Sequence, residues 1–265
     1  MKIATFNVNS INARIDSLSE LLRTEKPDVV LLQEIKTEFE NFPFFELNAA
    51  GYNAKVLGQK SYNGVAILSP YKIEVMQENL PDFADENARY LEAKININGK
   101  AIRVASIYLP NGNPPYNNPD DESKFIYKLH FMEALYNHAE KLIKTRENVI
   151  LGGDFNTIFT DFDVYNPQLF KDNALCREEV RQRYAALCYL GYYDAFRLLH
   201  KKDNGYTYWD YSGGAFAADL GMRIDYLMLS ANMADKLRNC RVMKNVRAMP
   251  KPSDHAPLLA EFEEF

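Results

Sequence analysis

The sequence predicts an α/β protein in which mixed or antiparallel β-sheets pack together under a cover of helices. Six short apolar runs have the length and polar boundaries of buried strands: KIATFNVN, DVVLLQE, VASIYLPNG, NVILGGDFN, RIDYLMLS and SDHAPLLAEF. Polar residues end the first four runs (Asn7, Glu34, Asn111, Asp154, Asn156) and begin the last two (Asp225, Asp254, His255). If all of them meet at one edge, the two groups of strands run in opposite directions, which argues against an all-parallel, doubly wound sheet.

Local signals place one hairpin and three helices. The runs YLEAKINI and KAIRVASIYL flank Asn98-Gly99, a dipeptide that favours a type I′ hairpin turn. Apolar residues recur at helical spacing from Ile15, from Phe125 and from Val180. No repeat or Gly/Ser linker interrupts the chain, so we expect residues 1–265 to form a single domain.

The composition, 47% hydrophobic and 25% charged, is that of an ordinary globular protein. No uncharged apolar stretch approaches the ~18 residues of a membrane span, and the N-terminus lacks the apolar run of a secretory signal. The three cysteines, Cys176, Cys188 and Cys240, show no CxxC spacing. We therefore expect no disulfide framework, no structural zinc site, no membrane partner and a cytoplasmic location.

The net charge of −5 conceals a basic segment, because residues 176–247 contain twelve Lys/Arg against eight Asp/Glu. Such a segment is compatible with steering a polyanion to one face of the protein. It is equally compatible with an ordinary solvated surface, which is the interpretation that the charge count alone favours.

Glu34 and the segment GGDFN carry carboxylates of interest. Glu34 is either an exposed strand end or a ligand for a hard divalent cation, and Lys36 would face the same side of an extended chain. Asp154 and Asn156 would also point the same way in an extended segment. Such a pair can deprotonate water and hold a phosphate oxygen, with the two preceding glycines leaving room for a ligand. An Asp/Asn-rich turn explains GGDFN equally well.

His255 raises the same choice between a surface turn and a catalytic role. Its neighbour Asp254 would point to the opposite side of an extended chain and is poorly placed to orient the ring. A catalytic histidine needs a carboxylate from elsewhere, and Asp225 is the candidate. In SIYLPNG, Tyr108 and Asn111 either hydrogen-bond a phosphate or form rim packing and a plain turn.

Taken in order, seven motifs resemble those of the exonuclease III family of abasic-site endonucleases, within the endonuclease/exonuclease/phosphatase superfamily: FNVN, LQEIK, SIYLPNG, GGDFN, YTYWDY, RIDYLMLS and SDHAP. The resemblance runs from Lys2 to Phe262, and the tyrosine in SIYLPNG points to the DNA-repair branch. It implies a four-layer α/β sandwich like that of pancreatic deoxyribonuclease. The chain departs from the family at Ser10, where glycine is usual, and at Met222, which is aromatic in some members.

The resemblance also implies a role for each motif residue. Glu34 would be the principal ligand of Mg²⁺ or Mn²⁺, with Asn7 and Asp254 nearby, while Asp154 would deprotonate the attacking water with help from Asn156. His255 and Asp225 would stabilise charge on the phosphate, which Tyr108 would contact as a catalytic residue. Further phosphate or DNA contacts would come from Asn9, Lys36, Asn111 and Arg223. An abasic-sugar pocket would be formed by Tyr208, Trp209, Met222 and Ile224.

The resemblance implies a Mg²⁺-dependent hydrolase of base excision repair. It would incise duplex DNA 5′ to abasic sites, leave a 3′-hydroxyl, and remove nucleotides and blocking groups from 3′ ends. We expect a monomer that binds double-stranded DNA with abasic sites or 3′ ends. The alternatives are a phosphoesterase acting on phosphoinositides, sphingolipid or RNA tails, and a DNA-binding relative without catalysis. No role is predicted for the loop 112–124.

Overall fold

Two six-stranded sheets form the centre of the protein, whose computed structural model describes residues 1–263. In chain order the strands are Lys2–Asn7 (β1), Val29–Gln33 (β2), Asn53–Leu57 (β3), Val65–Ser69 (β4), Ile73–Glu78 (β5), Tyr90–Ile97 (β6), Lys100–Tyr108 (β7), Val149–Asp154 (β8), Tyr193–Asp194 (β9), Asp225–Leu229 (β10), Leu237–Val242 (β11) and Leu258–Phe262 (β12). Sheet 1 has the order β11-β12-β1-β2-β4-β3, and sheet 2 has the order β5-β6-β7-β8-β10-β9.

The longer helices lie on the outer faces of the two sheets, whereas the short helices Ala195–Leu199 and Ala231–Ala234 pack apolar residues into the core between the sheets. The helices are Ile15–Glu25 (α1), Phe44–Ala49 (α2), Ser123–Lys144 (α3), Pro167–Phe170 (α4), Glu178–Tyr189 (α5), Ala195–Leu199 (α6), Ala231–Ala234 (α7) and Lys244–Arg247 (α8). Apolar residues of α1, α2 and α8 pack on sheet 1, and those of α3 and α5 pack on sheet 2. The predicted four-layer α/β sandwich is therefore confirmed. Within residues 1–263, none of the helices combines the length and apolar character that a membrane crossing requires.

Burial on both faces explains why the strand sequences are continuous apolar runs rather than alternating ones. In β2, Val29 and Leu31 belong to the core between the sheets, whereas Val30 and Leu32 pack against the helices over sheet 1. All five residues of this strand are buried.

Strand directions bring the predicted polar residues to one edge. β1 is parallel to β2 and antiparallel to β12, and β8 is parallel to β7 and antiparallel to β10. The ends of β1, β2, β7 and β8 therefore lie beside the starts of β10 and β12, and the prediction of two opposed groups of strands is confirmed.

The hairpin and the three predicted helices are also confirmed. Asn98 and Gly99 join β6 to β7 with φ angles of 52° and 87°, as a type I′ turn requires. The helical patterns that start at Ile15, Phe125 and Val180 fall in α1, α3 and α5.

Candidate active site

Most of the predicted site residues surround a depression of about 290 Å³ at this edge of the sheets. Among the predicted residues, its lining includes Glu34, Tyr108, Asn111, Asp154, Asn156, Tyr208, Met222, Ile224, Asp254 and His255. In sheet 2, Asp225 lies directly opposite Asp154 in the register of β10 and β8. The topology therefore assembles acidic, amide and imidazole groups from both sheets in one place.

Asn7 joins the two principal carboxylates of the site. Its Nδ2 donates to Glu34 Oε1 at 2.8 Å and to Asp154 Oδ2 at 2.9 Å, while its Oδ1 accepts the Asn9 backbone N–H at 3.0 Å. The amide nitrogen, rather than the oxygen, thus faces the carboxylates. In this arrangement Asn7 holds Glu34 and Asp154 in place, and its implied role as a metal ligand stays a prediction.

Glu34 is paired with Lys36, but not through the extended geometry that the sequence predicts. Both residues have left-handed backbones, with φ angles of 49° and 52°, and Lys36 Nζ lies 2.8 Å from Glu34 Oε2. Burial alone would raise the pKa of Glu34, but hydrogen bonds from Asn7 and Lys36 outweigh it and hold the pKa below its ordinary value. Glu34 is therefore a charged carboxylate at neutral pH.

Ser10, which stands where the family usually has glycine, adopts a backbone conformation that favours glycine. Its φ of 83° lies in the left-handed region, where glycine is favoured. The Ser10 N–H donates to the Glu34 carbonyl at 2.7 Å. The strained turn therefore connects the end of β1 to the backbone of Glu34.

His255 is oriented by Asp225, as the sequence analysis predicts. Its Nδ1 donates to Asp225 Oδ2 at 2.8 Å, whereas the Asp254 carboxylate accepts from Asn9 and Ser253. Burial alone would lower the pKa of His255, but the charge and hydrogen bond of Asp225 raise it to about 10. The ring is therefore an imidazolium at neutral pH.

Asp154 faces the other nitrogen of this ring, since its Oδ2 lies 3.8 Å from His255 Nε2. Burial raises the pKa of the Asp154 carboxyl above its ordinary value, although the charge of His255 opposes the shift. A raised pKa makes a carboxylate a better proton acceptor near neutral pH.

Asn156 is held by its surroundings rather than by an extended backbone, because its φ is 43°. Its N–H donates to Asp154 Oδ1 at 2.9 Å, and its Oδ1 accepts from Asn111 Nδ2 at 3.1 Å. GGDFN is therefore a turn and can also form part of a catalytic site, since the turn places Asn156 beside the Asp154 carboxylate.

The two glycines before Asp154 serve the sheets and not a ligand, which corrects the expectation. A Cβ on Gly152 would lie 2.6 Å from side chains of Leu31 and Leu227, and a Cβ on Gly153 would lie 1.9 Å from the Ile107 carbonyl oxygen. Both positions are buried between strands, so glycine allows the close approach that places Asp154.

Three of the four residues predicted to form a sugar pocket lie together at the depression. Tyr208, Met222 and Ile224 line the depression, and the Tyr208 ring lies 5.1 Å from the His255 ring, centre to centre. Trp209 is wrong, because its side chain is fully buried outside the depression. Its Nε1 donates to Asp219 Oδ1 at 3.0 Å.

Arg223 does not contact DNA from this position, which corrects the prediction. Its side chain is buried, with Nε 2.7 Å from Asp163 Oδ1 and Nη1 2.6 Å from Asp194 Oδ2. Other cations of the basic segment are also engaged, since Arg241 pairs with Glu25 and Lys244 pairs with Asp219. Such pairing favours the interpretation of this segment as ordinary surface and scaffold.

Sequence reasoning missed Arg89 and three residues of the lining. The Arg89 guanidinium lies 4.7 Å from the centre of the Tyr108 ring and donates to the Tyr108 carbonyl at 3.2 Å. Burial raises the pKa of Tyr108 well above its ordinary value, so Tyr108 is a neutral hydrogen-bonding phenol. Arg89 directly precedes β6, and the start of β6 pairs with the end of β7 beside Tyr108. This hairpin pairing is the feature of the sequence that would have predicted that Arg89 contacts Tyr108.

Asn113, Asn173 and Leu175 complete the lining and lie in loops without a motif.

The donor set fits a divalent cation. Ligand atoms of Glu34, Asp154 and His255 lie within 4.8 Å of one another, and carboxylate oxygens are the ligands that hard cations prefer. The Nδ1 of His255 is engaged by Asp225 and its Nε2 faces Asp154, so the carboxylate oxygens are the better match for a hard cation. The charged Glu34 carboxylate is therefore the residue that would hold the metal, with Asp154 beside it as the candidate proton acceptor.

Fold and site together define the class of endonuclease/exonuclease/phosphatase hydrolases. The profile of the Endonuclease/Exonuclease/phosphatase family matches residues 4–255, and the chain belongs to this family. Exodeoxyribonuclease III of Haemophilus influenzae is 31% identical over 271 residues, which cover 99% of this chain and 100% of that relative.

Two solved structures narrow the identification. The 3′ phosphatase NExo from Neisseria, bound to a product DNA hairpin, has a TM-score of 0.92 and 36% identity, and an AP endonuclease from Archaeoglobus fulgidus has a TM-score of 0.90 and 33% identity. Each comparison covers 100% of both chains. Within the family, the chain is an exonuclease III-type hydrolytic nuclease of DNA repair.

Proposed function

We propose that the protein is a Mg²⁺-dependent phosphodiesterase of base excision repair that incises duplex DNA 5′ to abasic sites and cleans or shortens 3′ ends. The observation that carries this proposal is the buried His255–Asp225 pair facing Asp154 in a depression with an apolar wall. The relatives agree with it, since they include an exodeoxyribonuclease III, a 3′ phosphatase and AP endonucleases.

In the reaction a water attacks phosphorus, the bond from phosphorus to the 3′-oxygen breaks, and the departing oxygen takes a proton from solvent to become the 3′-hydroxyl. Asp154 takes the proton of the water, for which its raised pKa suits it. The His255 imidazolium balances negative charge on the phosphate oxygens, and Asp225 keeps the ring charged and oriented. When bound, Mg²⁺ would supply Lewis-acid neutralisation of the developing charge.

Recognition of the abasic site follows from the shape of the apolar wall. Met222, Ile224 and Tyr208 line one side of the depression, where a sugar without a base would fit. Extruding a nucleotide costs least where no base is stacked. The proposal therefore assigns selectivity to the small size of this space.

We further propose that the protein is a cytoplasmic monomer with a single domain, and that Mn²⁺ can replace Mg²⁺ in the reaction. Cys176, Cys188 and Cys240 are free thiols.

Cleavage of three labelled DNAs tests the proposal: a duplex with one internal abasic analogue, a duplex with a recessed 3′ end, and a duplex with a 3′-phosphate. Each is incubated with Mg²⁺, with Mn²⁺ and with EDTA, and Asp154→Asn serves as the inactive control. We expect metal-dependent cleavage, with relative rates that set the balance of activities. Absence of cleavage of all three with Mg²⁺, together with turnover of a phosphoinositide, would favour the lipid-phosphate alternative.

A further inference from the structure

Lys128 of α3 is buried beneath the site with 0% of its surface exposed. Its Nζ donates to two backbone carbonyls, those of Asn111 at 3.0 Å and Asn156 at 2.5 Å. In the described part of the chain, no carboxylate forms an ion pair with it. A buried ammonium held only by carbonyls is costly, and burial lowers the pKa of Lys128 to about 7.

The two carbonyls belong to residues whose side chains meet in the depression. Asn111 follows β7 and Asn156 follows β8, and Asn111 Nδ2 donates to Asn156 Oδ1 at 3.1 Å. Asn156 Nδ2 donates in turn to the Leu109 carbonyl at 2.9 Å. One ammonium group therefore binds the backbone carbonyls of two separate loops on the side away from the depression. On the side of the depression, the side-chain amides of Asn111 and Asn156 are hydrogen-bonded to each other.

Gly112 adapts the first loop to this lysine. A Cβ at this position would lie 2.6 Å from Lys128 Cδ, so the backbone rests directly on the aliphatic part of the lysine side chain. With a φ of 85°, the glycine also turns the chain away immediately after Asn111. The fit of backbone to side chain leaves Asn111 little freedom to shift.

We propose that Lys128 is a positioning residue for phosphodiester cleavage, which holds Asn111 and Asn156 so that their side-chain amides keep the geometry required at the phosphate. This inference rests on the proposed function. It assigns to Lys128 an effect on turnover that exceeds its effect on stability, because a neutral side chain of similar length would fold without burying a charge.

The test compares Lys128→Met with Lys141→Met, the same substitution at an exposed position of the same helix. On the abasic duplex we expect kcat to fall ~10- to 100-fold in Lys128→Met, since small misplacements of site residues have effects of this size. KM should change less than about threefold, and Lys141→Met should match the wild type. The thermal unfolding midpoint of Lys128→Met should fall by only a few degrees, because removal of a buried charge offsets part of the cost of two carbonyls left without a donor.

A double-mutant cycle with Asn156→Ala separates positioning from an independent role. If Lys128 acts through the asparagines, adding Lys128→Met to Asn156→Ala should lower kcat little further. Additive losses, an unchanged kcat, or failure of both Lys128→Met and Lys128→Gln to fold would each overturn the inference, the last because the lysine would then serve the fold. An inactive wild type would instead refute the proposed function.

Discussion

Two clusters of buried charged residues lie close together in this protein. One lines the depression, and the other stabilises the interior. The site cluster contains Glu34, Asp154, Asp225 and His255, and the interior cluster contains Asp163, Asp194, Arg197 and Arg223. In the interior cluster two arginines balance two aspartates, with contacts of 2.6–2.8 Å. In the site cluster three carboxylates face two cations, the His255 imidazolium and the Lys36 ammonium that pairs with Glu34. Asp225 Oδ1 is buried without a hydrogen-bond partner.

The difference between the clusters lies in access and charge balance and not in residue type. Arg223 and Asp225 are two residues apart, yet the first is locked to Asp163 and the second orients a ring at the depression. A surplus of negative charge in a concave site attracts a cation and remains available for chemistry. A balanced cluster, by contrast, stabilises one arrangement of the chain.

The largest expected effect would test the interior cluster. Arg223→Met should leave Asp163 and Asp194 with less compensation and lower the free energy of unfolding by ~3–5 kcal/mol, as removal of one partner of a buried ion pair does. The measurement is chemical denaturation of the variant and the wild type, with cleavage rates expressed per folded molecule. A stable but inactive variant would place Arg223 in the catalytic machinery, and the two clusters would then not differ in function.

The reverse pattern is expected in the site cluster. Asp154→Asn and His255→Ala should each lower kcat by at least ~100-fold, because a general base or a charge stabiliser contributes this much. In Asp154→Asn, which leaves the His255–Asp225 pair intact, the free energy of unfolding should change less than it does in Arg223→Met. Near-normal kcat values for both variants would show that the roles are misassigned.

A pH–rate profile sharpens the role of Asp225. The Asp225 carboxylate raises the pKa of His255 from its ordinary 6.5 to about 10, so the imidazolium persists throughout the neutral range and is lost as the pH rises through 10. In Asp225→Asn this support is absent, and the alkaline fall in kcat should occur at lower pH than in the wild type. Profiles that coincide on the alkaline side would contradict the assignment.

The smallest expected effect concerns the charge balance of the site. Removal of the Lys36 ammonium, which lies 2.8 Å from Glu34, should tighten apparent Mg²⁺ binding by about fivefold, equivalent to roughly 1 kcal/mol of Coulomb energy near a surface. Titration of cleavage activity with Mg²⁺, after EDTA treatment, measures this in Lys36→Met and in the control Lys141→Met. A weaker apparent affinity would mean that Lys36 supports the metal site.

The sequence predicts most of the inner strands, and the longer helices, because their residues are apolar at a regular spacing. It does not indicate β3, β4, β5, β9 or β11. β3 and β5 are partly exposed and β9 has two residues, so their patterns are weak. The fold class follows from the inner strands alone, since polar residues at their ends require opposite directions.

The sequence predicts the position of site residues that lie near the ends of their own strands, as Glu34, Asp154 and His255 do. The predictions for Arg223 and Trp209 fail because their partners, Asp163 and Asp219, belong to loops that no local pattern connects to them. The pairing of Lys36 with Glu34 is correct for the wrong reason, since a left-handed turn and not an extended chain brings them together.

The Asn98-Gly99 turn offers a place to attach the enzyme to a surface or a dye. It begins β7, whereas Tyr108 ends the same strand at the site, and eight residue steps of a strand span roughly 26 Å. A Cβ added to Gly99 would meet nothing within 4 Å, which indicates open space around the turn. A cysteine or short peptide inserted between these residues would anchor the protein with its depression facing away from the support, an orientation suited to observing single DNA molecules during cleavage.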